Sequence, residues 1–144
     1  MDEDKRHEQG MQARRTVLGE SHVARAQANT NEFNADFQDL ITRYAWGEIW
    51  ARPGLPRHTR SLLTIVMMVA TNREEELKLH LRAAANNGVT REEIKEALLQ
   101  TAIYCGVPAA NGAFRLAQEV FDALDAANAG EAERDAGRDA GRDV

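Results

Sequence analysis

An all-α domain of six to seven helices is the fold this 144-residue sequence predicts, and three observations carry it. Ala supplies much of the 43% apolar share, while the 3 prolines and 6% aromatics are sparse, a balance that favours helix. Apolar side chains recur at spacings of three and four, not two. Helix punctuation is dense, with an Asn87-Gly88 stop, a Thr90/Glu93 capping box and a Gly106/Pro108 break. The length suits one domain with one core. Residues 1–128 are expected to form that domain, including an N-terminal helical arm over 1–30. Residues 129–144 are expected to be a disordered low-complexity tail.

Residues 3–18 are strongly charged but end in apolar Val17 and Leu18, so a helix that docks late, on a neighbouring subunit, is expected. From Glu32 to Tyr44 the positions Phe33, Phe37, Leu40, Ile41 and Tyr44 fall on one face, which predicts a helix burying that face. Trp46 to Trp50 continues it for a turn before R-P-G-L-P breaks it, since Pro53 and Pro56 cannot donate within a helix. Arg57 to Thr71 is apolar on every side, and its length predicts a buried helix rather than a strand. Asn72 is the expected cap of the next helix, whose first turn carries Glu74, Glu75 and Glu76 at the positive end of the dipole. Behind the capping box Ile94, Ala97, Leu98 and Thr101 form a buried stripe. Ala110, Ala113, Phe114, Ala117, Val120, Phe121 and Leu124 repeat at helical spacing in the last helix. The R-D-A-G repeat after Glu131 has no apolar face, which is why disorder is expected there.

The net charge of −5 argues against nucleic acid as a partner, because phosphate binding needs a basic face. The longest apolar run, Leu62 to Ala70, is about half of the ~20 residues that span a bilayer, and the polar N-terminus lacks a signal peptide's apolar core. One cysteine, Cys105, excludes a disulfide or dithiol pair within the chain. A cytoplasmic setting with no membrane contact is expected.

Four sets of residues carry candidate chemistry. Between Glu48 and Glu74 there is no acidic residue, yet Arg52, Arg57, His58, Arg60 and Arg73 fall there. Guanidinium forks match carboxylates, so an anionic small-molecule site is one reading; a solvated loop with ion pairs elsewhere is the other. Glu76 and His80 lie one helical turn apart, where a carboxylate raises the imidazole pKa and orients the ring. The alternative is an exposed pair of small energetic weight. Glu48 sits between Trp46 and Trp50, whose apolar surroundings would raise its pKa, making it a second acid/base candidate. Tyr104 closes a helix and can donate to a substrate oxygen, whereas Cys105 reads as a small buried residue rather than a nucleophile. The histidines lack metal-ligand spacing, so no metal is expected.

Glu76-x-x-x-His80, Asn87-Gly88-Val89-Thr90, Glu92-Glu93-Ile94 and Tyr104-Cys105-Gly106-Val107-Pro108 resemble the carboxymuconolactone decarboxylase family. W-G-E-I-W-x-R-P-G-L-P-R-H-T-R from Trp46 is similar to the decarboxylases proper rather than to the wider superfamily, which includes alkylhydroperoxidase D. The likeness runs over roughly residues 5–125. It implies an alkylhydroperoxidase D-like helical fold, a homo-oligomer (hexamer or trimer), and cofactor-free decarboxylation of a dicarboxylate butenolide in aromatic catabolism. Peroxidase chemistry is disfavoured, because Arg73 to Glu76 holds no C-x-x-C. On this reading His80, oriented by Glu76, is the proton donor or oxyanion partner and Glu48 the alternative acid. Arg57 and Arg60, with Arg52 in reserve, hold carboxylate, while His58 and Tyr104 complete the substrate set. An isomerase or hydrolase of a related lactone, and a non-catalytic helical adaptor, also fit the residues.

Overall fold

The computed structural model describes residues 1–142 and holds seven α-helices, with no strand among the described residues. Helix α1 is Glu3–Leu18, started by Asp2, whose carboxylate accepts from the Lys5 backbone N–H at 2.9 Å. Only Gly19, at φ +92°, separates it from α2 (Glu20–Ala28). Helix α3 (Ala35–Ile41) runs on into a π-helical segment, Thr42–Trp50. After the proline loop come α4 (Arg57–Ala70) and α5 (Glu74–Ala83), the latter closed by a 3₁₀ turn over Ala84–Asn87. Helices α6 (Arg91–Tyr104) and α7 (Val107–Arg142) complete the chain.

Two apolar clusters hold these elements. The larger joins α4, α5, α6 and α7 through Ile65, Leu77, Leu81, Ile94, Leu98, Leu116 and Val120. The smaller joins α1, the π-helical segment and α5 through Ala13, Val17, Trp46, Trp50 and Ala83. Helix α5 serves both. At ~100° per residue Leu77 and Leu81 share one side of it and Leu79 and Ala83 another, and His80 falls between them, at the seam.

The punctuation behaves as the sequence predicts. Gly88 is left-handed at φ +76°, and Thr90 and Glu93 form a reciprocal capping box. Gly106, at φ +100°, opens the turn into α7. Ile94, Leu98 and Thr101 are buried behind the box.

Five expectations need correction. The N-terminal arm docks on its own chain, because Gly10 and Gly47 let α1 and the π-helical segment meet backbone to backbone. The face of α3 is not buried: Phe33 is 97% exposed, and Phe37, Leu40 and Tyr44 are also exposed, since no element of the chain packs over them. In α4 only Ser61, Ile65 and Val69 are fully buried, while Leu63 and Met67 face outward; one neighbouring layer covers one side of a helix. Asn72 does not cap α5. It takes a left-handed conformation, φ +58°, in the tight turn from α4, and the cap position falls to Arg73. The repeat after Glu131, expected to be disordered, extends α7 to Arg142 with every side chain from Glu131 to Gly141 exposed. Its Ala, Glu and Arg content favours helix locally even though nothing covers it. Asp143 and Val144 of the expected tail lie outside the described residues.

Candidate active site

His80 is the one strongly perturbed group in this region. Its ring lies parallel to that of Trp50, with centroids 6.1 Å apart and an interplanar angle of 5°. Trp50 stacks in turn on Trp46 at 5.2 Å and 26°. The imidazole Nδ1 is buried and has no hydrogen-bond partner. Burial pushes the pKa down from 6.5 to about 4, the nearby His22 adds to that, and Glu76 opposes both. The expected rise is therefore corrected: Glu76 acts in the anticipated direction, but desolvation outweighs it. Glu76 itself is exposed, and no hydrogen bond joins it to His80 among the described residues. At neutral pH His80 is an uncharged imidazole.

The positive island sits at the N-terminus of α4. Arg57 and Arg60 are half-buried there, and Arg60 Nε is buried without a partner. Arg52 is exposed in the preceding loop. A methyl group on Gly54 would lie 3.7 Å from Arg60 Nη2 and 4.0 Å from Arg52 Nε, so the loop folds both guanidiniums around that glycine. Pro56 precedes the helix, and its first turn holds no acid to neutralise the dipole. Helix α4 packs on both α5 and the 3₁₀ turn that ends it.

Three other candidates lie apart from this arrangement. Glu48 is exposed and ion-paired to Arg6 of α1, not enclosed by the tryptophans, because π-helical winding turns Trp46 and Trp50 inward and Glu48 out. His58 Nε2 lies 2.6 Å from Glu93 Oε2 and so ties α4 to the capping box of α6. Glu93's carboxyl is held low, first by the Thr90 backbone N–H and less by His58. Tyr104 is 80% exposed and Cys105, read from the sequence as buried, is exposed beside it, because α6 ends beyond the layer that α7 covers. No three His, Cys, Asp or Glu side chains come together as metal ligands among the described residues.

His22, on α2, is the group the sequence did not single out for this site. It is half-buried, with its pKa lowered by burial and then by Arg14, Arg25 and Arg82. Its position near His80 depends on how α2 folds back from α1, and no local motif encodes that.

A buried neutral imidazole on α5 and an acid-free, arginine-bearing start of α4 are the two features of this small all-α protein that carry candidate chemistry. The Carboxymuconolactone decarboxylase family model matches residues 35–119, and the chain belongs to that family. It is 55% identical over 124 residues to the 4-carboxymuconolactone decarboxylase of Acinetobacter baylyi, covering 86% of this chain and 92% of that one. It is also 42% identical over 127 residues to the nitrosuccinic acid decarboxylase of Metarhizium robertsii, covering 88% and 87%. A 48-residue stretch is 52% identical to a 4-carboxymuconolactone decarboxylase of Pseudomonas putida, all of that sequence but 33% of this chain. No helix among the described residues is long and apolar enough to cross a membrane.

Proposed function

We propose that this protein decarboxylates 4-carboxymuconolactone to the enol-lactone without a cofactor, in the breakdown of protocatechuate. The observation that carries this reading is the 55% identity to the Acinetobacter baylyi decarboxylase across nearly both whole chains. The substrate supplies its own electron sink. Its departing carboxylate sits on the γ-carbon of an unsaturated lactone. When the carbon–carboxyl bond breaks, the electron pair moves through the ring double bond to the lactone carbonyl, and the α-carbon then takes a proton. The protein must hold the dianion, stabilise the developing enolate oxygen and deliver that proton.

In this mechanism neutral His80 donates its N–H to the enolate oxygen, a stabilisation strongest where water is excluded, as it is against Trp50. Arg57 and Arg60, with Arg52, hold the carboxylate that stays, because full charge on the departing one would stabilise the ground state. Glu76 lies in reach of His80 through its charge alone. The exposed apolar faces of α3 and α4 support action as a homo-oligomer, which the family likeness also implies.

The second named relative bears on substrate class. Nitrosuccinic acid also carries two carboxylates, one beside a nitro group that accepts an electron pair on oxygen. Purified protein is therefore incubated with carboxymuconolactone and, separately, with nitrosuccinate, following ultraviolet absorbance and CO2 release. Fast CO2 release from the lactone, unaffected by chelator, is the expected result. Lactone consumption without CO2 would point to an isomerase or hydrolase. Release from nitrosuccinate alone would transfer the reading to nitro acids, and inertness toward both would favour an adaptor.

A further inference from the structure

Arg14, on α1, is an unusual side chain. It is 8% exposed, yet no carboxylate forms an ion pair with it among the described residues. Nη1 donates to Thr42 Oγ1 at 3.4 Å and Nη2 to Gln38 Oε1 at 3.1 Å, both neutral acceptors, and Nε is buried with no partner. A guanidinium has five donors, so most of its capacity is unspent. A buried charge without a counter-ion is strongly unfavourable unless something compensates it.

The surroundings offer room for that something. Arg14 lines a cavity of about 180 Å³ between α1, the end of α2 and α3, together with His7, Gln27, Thr30, Gln38 and Thr42. Asp39 stands at the same cavity, but its carboxylate is taken by Arg43 Nε at 2.8 Å, with His7 at 3.5 Å. Of the remaining walls, Gln27, Thr30, Gln38 and Thr42 are neutral hydrogen-bonding groups and Met11 and Ala35 are apolar, so none of them neutralises the fork.

We propose that this cavity is a binding site for a small carboxylate anion, held by the Arg14 guanidinium with Gln38 and Thr42 as neutral neighbours. Carboxylate is the class that fits the fork's two parallel donors. The cavity shares no lining residue with the reaction proposed at His80, and the proposal stands whether or not that reaction is correct.

The test is thermal unfolding of the full chain in rising sodium acetate, against sodium chloride of matched ionic strength and a parallel inorganic phosphate series. The expected result is a midpoint that climbs with acetate by roughly 9 °C at 100-fold excess over Kd, beyond any chloride effect. Arg14→Met should abolish the response and leave the protein more stable than wild type in anion-free buffer, since it removes the uncompensated charge. Should that variant fail to fold, Arg14→Lys keeps the charge but not the fork and should weaken acetate binding measured by calorimetry at least fivefold. A wild-type midpoint that ignores acetate overturns the proposal. So does an equal response in Arg14→Met, or a response to phosphate alone. Stability that rises with protein concentration but not with acetate also overturns it, because a carboxylate of a second copy would then be filling the cavity.

Discussion

His80 shows how one residue's chemistry is decided by what covers it. Its ordinary pKa of 6.5 falls to about 4 in the folded chain. Between those values the unfolded chain binds more protons than the folded one. Stability is therefore complete above about pH 6.5, declines as pH falls toward 4, and this contribution levels off below that, amounting to about 3 kcal/mol. Urea titrations across that range should show the decline in wild type and a shallower one in His80→Gln. The same substitution should lower kcat for the lactone by about 10²-fold or more if the N–H meets the enolate; a variant within threefold of wild type would remove His80 from the mechanism. The arginines predict a different signature. Arg57→Ala and Arg60→Ala should chiefly raise KM, measured by steady-state kinetics, and an unchanged KM in both would place the carboxylate elsewhere.

At the scale of elements, the contact between α1 and the π-helical segment rests on two glycines. A Cβ on Gly10 would overlap the Thr42 carbonyl oxygen, and one on Gly47 the Arg6 carbonyl oxygen. Backbone cannot yield as a flexible side chain can, so Gly10→Ala should cost about 3 kcal/mol of unfolding free energy by denaturant titration. It should also disturb Trp46 and Trp50, visible as a change in tryptophan emission. The capping box of α6 is a milder case. Thr90→Ala removes the hydroxyl that accepts from the Glu93 N–H at 3.1 Å and should cost about 1 kcal/mol in the same measurement. The box was readable from Thr90 and Glu93 because capping is local. The glycine contact was not, because Gly10 and Gly47 meet only once two helices have docked.

For the whole molecule, the telling feature is apolar surface left without cover. Phe33, Phe37, Leu40 and Tyr44 on one side, and Leu99, Ile103 and Val107 on another, are exposed in the isolated chain. Exposed apolar side chains of this kind on a protein of 16.0 kDa support the homo-oligomer proposed above. Light scattering should give a mass several times that of one chain. Phe37→Asp with Leu40→Asp should reduce it without loss of helix by circular dichroism; a wild-type mass of one chain would sink the oligomer reading.

Spacing, caps and breakers were enough to predict six to seven helices, their stops at Gly88 and Gly106, and the apolar stripe of α6, since each depends on residues within a turn or two of one another. The family likeness was equally local, carried by short motifs around Trp46, His80 and Tyr104. What faced what was not determined in this way. Periodicity showed that α3 had an apolar face but not that the face lay outside. Helical spacing paired Glu76 with His80, yet the state of that imidazole was decided by Trp50, thirty residues earlier, and by His22 on a different helix. Burial and electrostatic environment arise from packing between distant segments, and so only the tertiary structure decided that His80 is neutral, that His58 serves a helix cap and that Arg14 is buried without a counter-ion.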